Sequence, residues 1–178
     1  MLQECSVFNV AGVFFNEPTK EHYLLEISHK TDLAHTSVKN YLSELVKLGI
    51  LIETLDKKGK RVFPTYKANL ESKEYKIYKK IHNFYKLEES GLIDYLNDKI
   101  MPKCIVLFGS YARAEDTEDS DIDLFVEGKE QKIDLTKYET LLKRKIQLHF
   151  KDFQKFNTEL KNNIINGIVL RGYLEACK

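Results

Sequence analysis

Asp121 and Asp123 stand one residue apart in "SDIDLFV", and a β-strand turns alternate side chains to the same face. The two carboxylates therefore share a direction, while Ile122, Leu124 and Val126 take the opposite one. Like charges about 6–7 Å apart along a strand repel unless a cation sits between them. Hard oxygen ligands of this sort suit Mg2+ carrying a nucleoside triphosphate. The surroundings strengthen the reading, because Glu115 to Asp123 holds six carboxylates and no basic residue in nine positions. We read that concentration of charge as a metal seat.

Such a seat needs rigid elements to hold it. "CIVLF", Cys104 to Phe108, is a continuous apolar run of the kind a central strand shows when both faces are covered. Gly109 follows at once and permits a tight turn with close backbone approach. Ser110 is placed to cap a short helix through Tyr111, Ala112 and Arg113. The N-terminus of a helix presents free N–H groups and a positive dipole end to a phosphate. Arg113 has two readings from its position, a phosphate contact or an ion pair with the acids from Glu115 to Asp119.

Gly109-Ser110, ten residues, then Asp121-x-Asp123 resembles the G-S-x10-D-x-D signature of the minimal nucleotidyltransferases of the polymerase-β type. The likeness runs from about Lys103 to Lys178 and takes in "LKNNIINGIVLRGY", which is similar to the final helix and strand of those domains. It implies a small α/β domain with a mixed sheet, a triphosphate held by Gly109, Ser110 and Arg113, Mg2+ bound by Asp121 and Asp123, and ATP or another NTP as substrate. It also implies a later strand that carries a third carboxylate. Here the matching stretch is "KIQLHF", with Gln147 at that place. The catalytic set is then Asp121, Asp123 and Gln147, and an amide is a poor proton acceptor and a weak ion ligand. His149 shares the strand face and either substitutes in part or is an ordinary half-buried histidine. Ala114 stands where the family usually has glycine, a mild change unless that position needs a positive φ.

The N-terminal third reads differently. "CSVFNVAGVFFNEP" has helical spacing and stops at Pro18. Thr19 then precedes, and is placed to cap, a second short helix whose stripe is Tyr23, Leu24 and Ile27. "SVKNYLSELVKLGI" is a third, with Gly49 as its C-terminal glycine. "ILIETL" and "RVFPTY" flank the polar "DKKGK" as a hairpin, and Pro64 suggests an edge strand. The order resembles a winged helix-turn-helix. That likeness implies a recognition helix presenting Ser37, Lys39 and Asn40 to duplex DNA, with Lys57, Lys58, Lys60 and Arg61 at the wing tip on the backbone. Between Lys57 and Lys86 ten basic residues face two acidic ones, a local field that duplex DNA would feel. Winged helices also serve in dimerisation, and lysine-rich loops are often only solvated edges.

From Glu71 to Lys99 the pattern is helical, with Tyr75, Tyr78, Ile81 and Tyr85 at three-to-four spacing and a break near Ser90-Gly91. The expected fold class is α+β, in three parts: a winged helix domain over 1–68, a helical connector over 69–102 and the transferase domain over 103–178. Composition sets outer bounds. Across 178 residues, 28 lysines and arginines nearly balance 27 acids, so the net charge of +1 gives no whole-chain argument for nucleic acid or membrane. No apolar run approaches the roughly 20 residues of a membrane span. Cys5, Cys104 and Cys177 lack metal-ligand spacing and read as reduced thiols of a cytoplasmic protein.

Together these features predict a Mg2+-dependent enzyme that moves a nucleoside monophosphate, AMP from ATP in the first instance, to a hydroxyl of a protein or small molecule. Minimal transferases of this type are similar to antitoxins paired with helical HEPN proteins, which implies such a partner. The competing expectation is a DNA-binding regulator whose impaired transferase domain senses nucleotide. A homodimer is a further expectation for a winged helix.

Overall fold

The computed structural model describes residues 5–150 and 152–175, without the side chain of Lys58, and Cys177 lies outside that range. The chain forms two compact units, Met1–His82 and Asn83–Lys178. Together they contain helices, an antiparallel sheet and a mixed sheet, an α+β composition.

The first unit contains α1 (Ser6–Asn16), β1 (His22–Tyr23), α2 (Leu24–Thr31), α3 (His35–Lys47), β2 (Leu51–Lys58), β3 (Arg61–Ala68) and the start of α4 (Lys73–Glu89). Its core joins Val10, Phe14 and Phe15 of α1 to Ile27, Val38, Leu42, Ile50 and Tyr75. These residues recur at the spacing that puts one face of each helix inward. α3 ends as its sequence predicts, with Gly49 left-handed at φ 72°.

Two expectations for this unit are corrected. Thr19 does not cap a helix; the chain first forms β1, in which His22 and Tyr23 pair with Tyr66 and Thr65 of β3, and α2 starts only at Leu24 with Tyr23 before it. The strand order is β1-β3-β2, so Pro64 lies on the central strand and not on an edge strand. It is tolerated because β1 reaches only Thr65 and Tyr66, which leaves Pro64 opposite Leu55 of β2 with no partner strand on its other side among the described residues.

Helix α4 shows a third difference. Tyr78 and Ile81 are exposed, and the buried positions are Tyr75, Lys79, His82, Asn83 and Leu87. Polar side chains can be buried when they are hydrogen-bonded. His82 pairs with Asn16, and Asn83 donates to the Tyr111 carbonyl and to Asp116.

The second unit continues with α5 (Leu92–Ile100), β4 (Cys104–Phe108), α6 (Gly109–Arg113), β5 (Ile122–Val126), α7 (Thr136–Leu142), β6 (Ile146–His149), a 3-10 turn (Phe153–Lys155), α8 (Thr158–Ile165) and β7 (Ile168–Gly172). Its four-stranded sheet runs β6-β5-β4-β7. β5 is antiparallel to β4 and parallel to β6, so the sheet is mixed. All five residues of β4 are buried. Alternation sends Ile105 and Leu107 into one apolar layer with Ile122, Leu124 and Val126, and sends Cys104, Val106 and Phe108 into a second with Phe125 and Phe153. A continuous apolar run is what a strand covered on both faces requires.

Candidate functional site

Strand β5 sets the site's geometry. Ile122, Leu124 and Val126 are fully buried in the larger layer, which leaves Asp123 on the opposite face with Phe125. Asp121, two residues before Asp123, falls on that same face. Parallel pairing places Gln147 opposite Asp123 and His149 opposite Phe125. The side chains then cross in an ordered way: the Gln147 amide donates to Asp121 Oδ2, and His149 Nε2 lies 3.1 Å from Asp123 Oδ1. Four polar groups from two adjacent strands thus form one row.

The turn after β4 closes on this row. Phe108 pairs with Asp123, so the next residue, Gly109, lies beside the carboxylate. A Cβ built on Gly109 would come 2.5 Å from Asp123 Oδ2, and φ there is 77°. Both facts call for glycine: no side chain fits and the backbone is left-handed. The aspartate face and the Gly109 turn therefore meet, as the spacing in the sequence implies.

Ser110 differs from its expected role. α6 starts at Gly109, Phe108 is its N-cap, and no side chain caps it. The Ser110 carbonyl instead accepts the Glu115 amide at 3.0 Å, which closes the turn. Arg113 is turned to Glu115, with Nε 2.7 Å from Oε2, one of the two readings its position left open. Ala114 is a correction. It sits at φ 59°, ψ 35°, so the substitution for glycine is not mild, since a Cβ there costs about 1–2 kcal/mol.

His149 is half-buried and its ring meets Phe108 edge-on at 5.1 Å. Because a carboxylate only accepts hydrogen bonds, Nε2 carries the proton toward Asp123, and the ring orients that aspartate. Two clefts flank the row. One, of about 380 Å3, is lined by His149, Phe150, Lys155, Phe156 and Asn157 among others. The other, of about 430 Å3, is lined by Asp121, Glu118, Glu139, Lys143 and Arg144 among others.

Sequence reading missed one group. Asp116, counted with its neighbours in the acidic concentration read as a metal seat, is buried; it accepts from Asn83 at 2.9 Å and lies 3.7 Å from Arg144 Nη2. Burial and then the Asp116 charge push the Tyr111 hydroxyl well above its ordinary pKa, with Arg144 opposing. The pairing ties the loop between α6 and β5 to the segment that enters β6. Nothing in the composition of the loop distinguishes Asp116 from the five other acids.

In the first unit, Lys39 and Asn40 are exposed on α3 and Ser37 is partly so. Lys57, Lys60 and Arg61 are exposed about the hairpin turn, and Lys58 occupies the last position of β2. Among the described residues, no helix is long and apolar enough to cross a membrane.

Residues 90–173 match the family model described as "Polymerase beta, Nucleotidyltransferase". The nucleotidyltransferase superfamily is thereby supported. The match takes in the Gly109 turn, both aspartates and all four strands of the second sheet. A 32-residue stretch is 66% identical to a Methanocaldococcus jannaschii protein named "Putative protein adenylyltransferase MJ1379". That alignment covers 18% of this chain and 32% of the relative, so the chain spans about a third of the curated protein it matches. A solved structure from Methanosarcina mazei Go1, titled "Possible transcriptional regulator", aligns with 52% of this chain and 82% of its own at 19% identity and a TM-score of 0.37. A likeness at that level carries no argument for fold or function.

Proposed function

We propose that the second unit is a Mg2+-dependent nucleotidyltransferase domain that transfers a nucleoside monophosphate, AMP from ATP in the first instance, to a hydroxyl of a protein or small molecule. The observation that carries this reading is the approach of Asp123 to the Gly109 turn, with Asp121 just before the strand that carries Asp123. Asp121 and Asp123 hold the ion, which neutralises the charge of the triphosphate and of the transition state when bound. The Gly109–Ser110 turn and Arg113 receive the triphosphate oxygens, Arg113 exchanging its exposed contact with Glu115 for phosphate. Gln147 fills the third position without supplying a base.

The test is turnover. Purified protein with labelled ATP and Mg2+, alone and with lysate, releases pyrophosphate or labels an acceptor. Preserved Mg2+-ATP binding with no release and no labelled product would sink the enzyme reading.

A second reading is favoured by the hydrogen bond from Gln147 to Asp121, which engages a carboxylate that an ion would need. In it the second unit binds nucleotide without efficient transfer. A winged helix over 1–68, within the first unit, then acts on duplex DNA through Ser37, Lys39, Asn40 and the basic residues Lys57, Lys58, Lys60 and Arg61, with residues 69–102 connecting it to the domain over 103–178. Affinity for duplex DNA that falls steeply with salt, with a slope reduced by replacing Lys57, Lys60 and Arg61 with alanine, supports it; binding indifferent to salt overturns it. A HEPN-type partner belongs to the enzyme reading and a homodimer to the regulator reading.

A further inference from the structure

A second cluster of ion-binding side chains lies in the first unit, and it is independent of the proposed transferase site. His22 of β1 has no exposed side-chain surface. Its Nδ1 lies 2.9 Å from Glu26 Oε1, and since a carboxylate only accepts, this nitrogen carries the proton. In the neutral ring the Nε2 lone pair is then unused: Nε2 is buried and has no hydrogen-bond partner among the described residues. It lies 3.4 Å from Glu17 Oε2. A lone pair facing a carboxylate oxygen at that distance is repulsive unless a positive centre lies between them. Two ligands each about 2.1 Å from a tetrahedral zinc ion lie about 3.4 Å apart, so the observed gap fits such an ion.

We propose that Glu17, His22 and Glu26 form a site for a divalent transition metal of the zinc class. Nε2 of His22 and the Glu17 carboxylate are the direct ligands. Glu26 accepts the Nδ1 proton and holds the ring, the arrangement that commonly supports a metal-bound imidazole. One ligand atom from each of the three residues lies within 4.8 Å of the others, which makes them one cluster. An imidazole nitrogen with carboxylate oxygens selects zinc-like ions over Mg2+ and Ca2+, which prefer oxygen alone.

Without metal, lysines supply the positive charge. The Lys30 ammonium contacts Glu17 and lies 2.9 Å from Glu26 Oε1, and Lys20 lies 3.1 Å from Glu17 Oε1. The ion therefore competes chiefly with Lys30, which is partly exposed and free to swing into solvent. Metal binding would join the loop after α1 to β1 and α2 through a single centre.

The experiment is calorimetric titration of the full chain with Zn2+, paralleled by the absorption spectrum of Co2+, for the unaltered protein and for His22→Gln, Glu26→Gln and Lys30→Met. We expect His22→Gln to remove one binding event and the associated Co2+ absorption. Glu26→Gln should weaken that event by roughly 10-fold or more, as loss of a supporting carboxylate does. Lys30→Met should tighten it, because the competing ammonium is gone, and this variant keeps the proposal testable if His22→Gln fails to fold. Zn2+ isotherms identical for the unaltered protein and a folded His22→Gln, or affinity unchanged or weakened in Lys30→Met, would overturn the assignment.

Discussion

The amide of Gln147 donates to Asp121, although the strand register places Gln147 opposite Asp123. The diagonal contact shows that the third position of the row faces the aspartates while offering them a donor in place of a charge. Where the resemblance implies a third acid, this row carries an amide.

Gln147→Asp should therefore raise nucleotidyl transfer if the absent base limits the rate. A positioned general base contributes on the order of 10^2-fold or more, and a gain of that size in pyrophosphate release from ATP and Mg2+ is the expected result. An unchanged rate, with ATP binding intact, would mean that another group fills the role.

Ala114→Gly should stabilise the second unit. Ala114 holds a left-handed conformation with its Cβ in place, and relief of that strain, less the entropy glycine adds to the unfolded chain, leaves a gain of about 1 kcal/mol or less. Thermal unfolding should show a midpoint up to roughly 2–4 °C higher for a chain of this size.

Cys104 should be chemically silent in the folded protein. Burial, with a smaller contribution from the Glu127 charge, pushes its thiol up to about 11, so little thiolate exists near neutrality. Timed alkylation read by mass spectrometry should modify the exposed Cys5 first and reach Cys104 only after denaturant is added. Labelling of both at equal rates in the native state would contradict the burial of β4.

Acid should weaken the first unit through Glu17 and Glu26. Burial raises the pKa of each, but hydrogen bonds and charge from Lys30, with Lys20 beside Glu17 and the His22 hydrogen bond to Glu26, outweigh it and leave both below the ordinary 4.5. A carboxylate depressed in the fold contributes stability that is complete above its unfolded value and lost as pH falls through the folded one. The thermal midpoint should therefore drop as pH falls below about 4.5, and Glu17→Gln should make that dependence shallower.

The sequence made some elements plain because local pattern and tertiary demand agree there. β4 is apolar at every position and "DID" at the start of β5 sets an aliphatic residue between two acids, so the strands and the inward face of β5 follow from spacing. Gly49 and the Gly59 turn likewise carry their own conformational reasons. β1 was hidden because its two residues gain strand character only from β3, while "HYLLEISHK" has helical periodicity throughout. The inward face of α4 was hidden because Lys79, His82 and Asn83 break the apolar pattern; for His82 and Asn83 the hydrogen bonds to Asn16, Tyr111 and Asp116 come from distant parts of the sequence. Asp116 is the sharpest case: its partners Asn83 and Arg144 lie 33 residues before and 28 residues after it.

Because β5 separates acids from aliphatics by alternation alone, the phase of the strand matters more than the length of the loop before it. An extra residue among Thr117 to Ser120 can bulge outward and leave the row intact. The same insertion between Ile122 and Asp123 would turn every following side chain to the other face, burying carboxylate among hydrocarbon and presenting leucine where charge belongs. Variation in length is thus tolerable on one side of Asp121 and ruinous on the other.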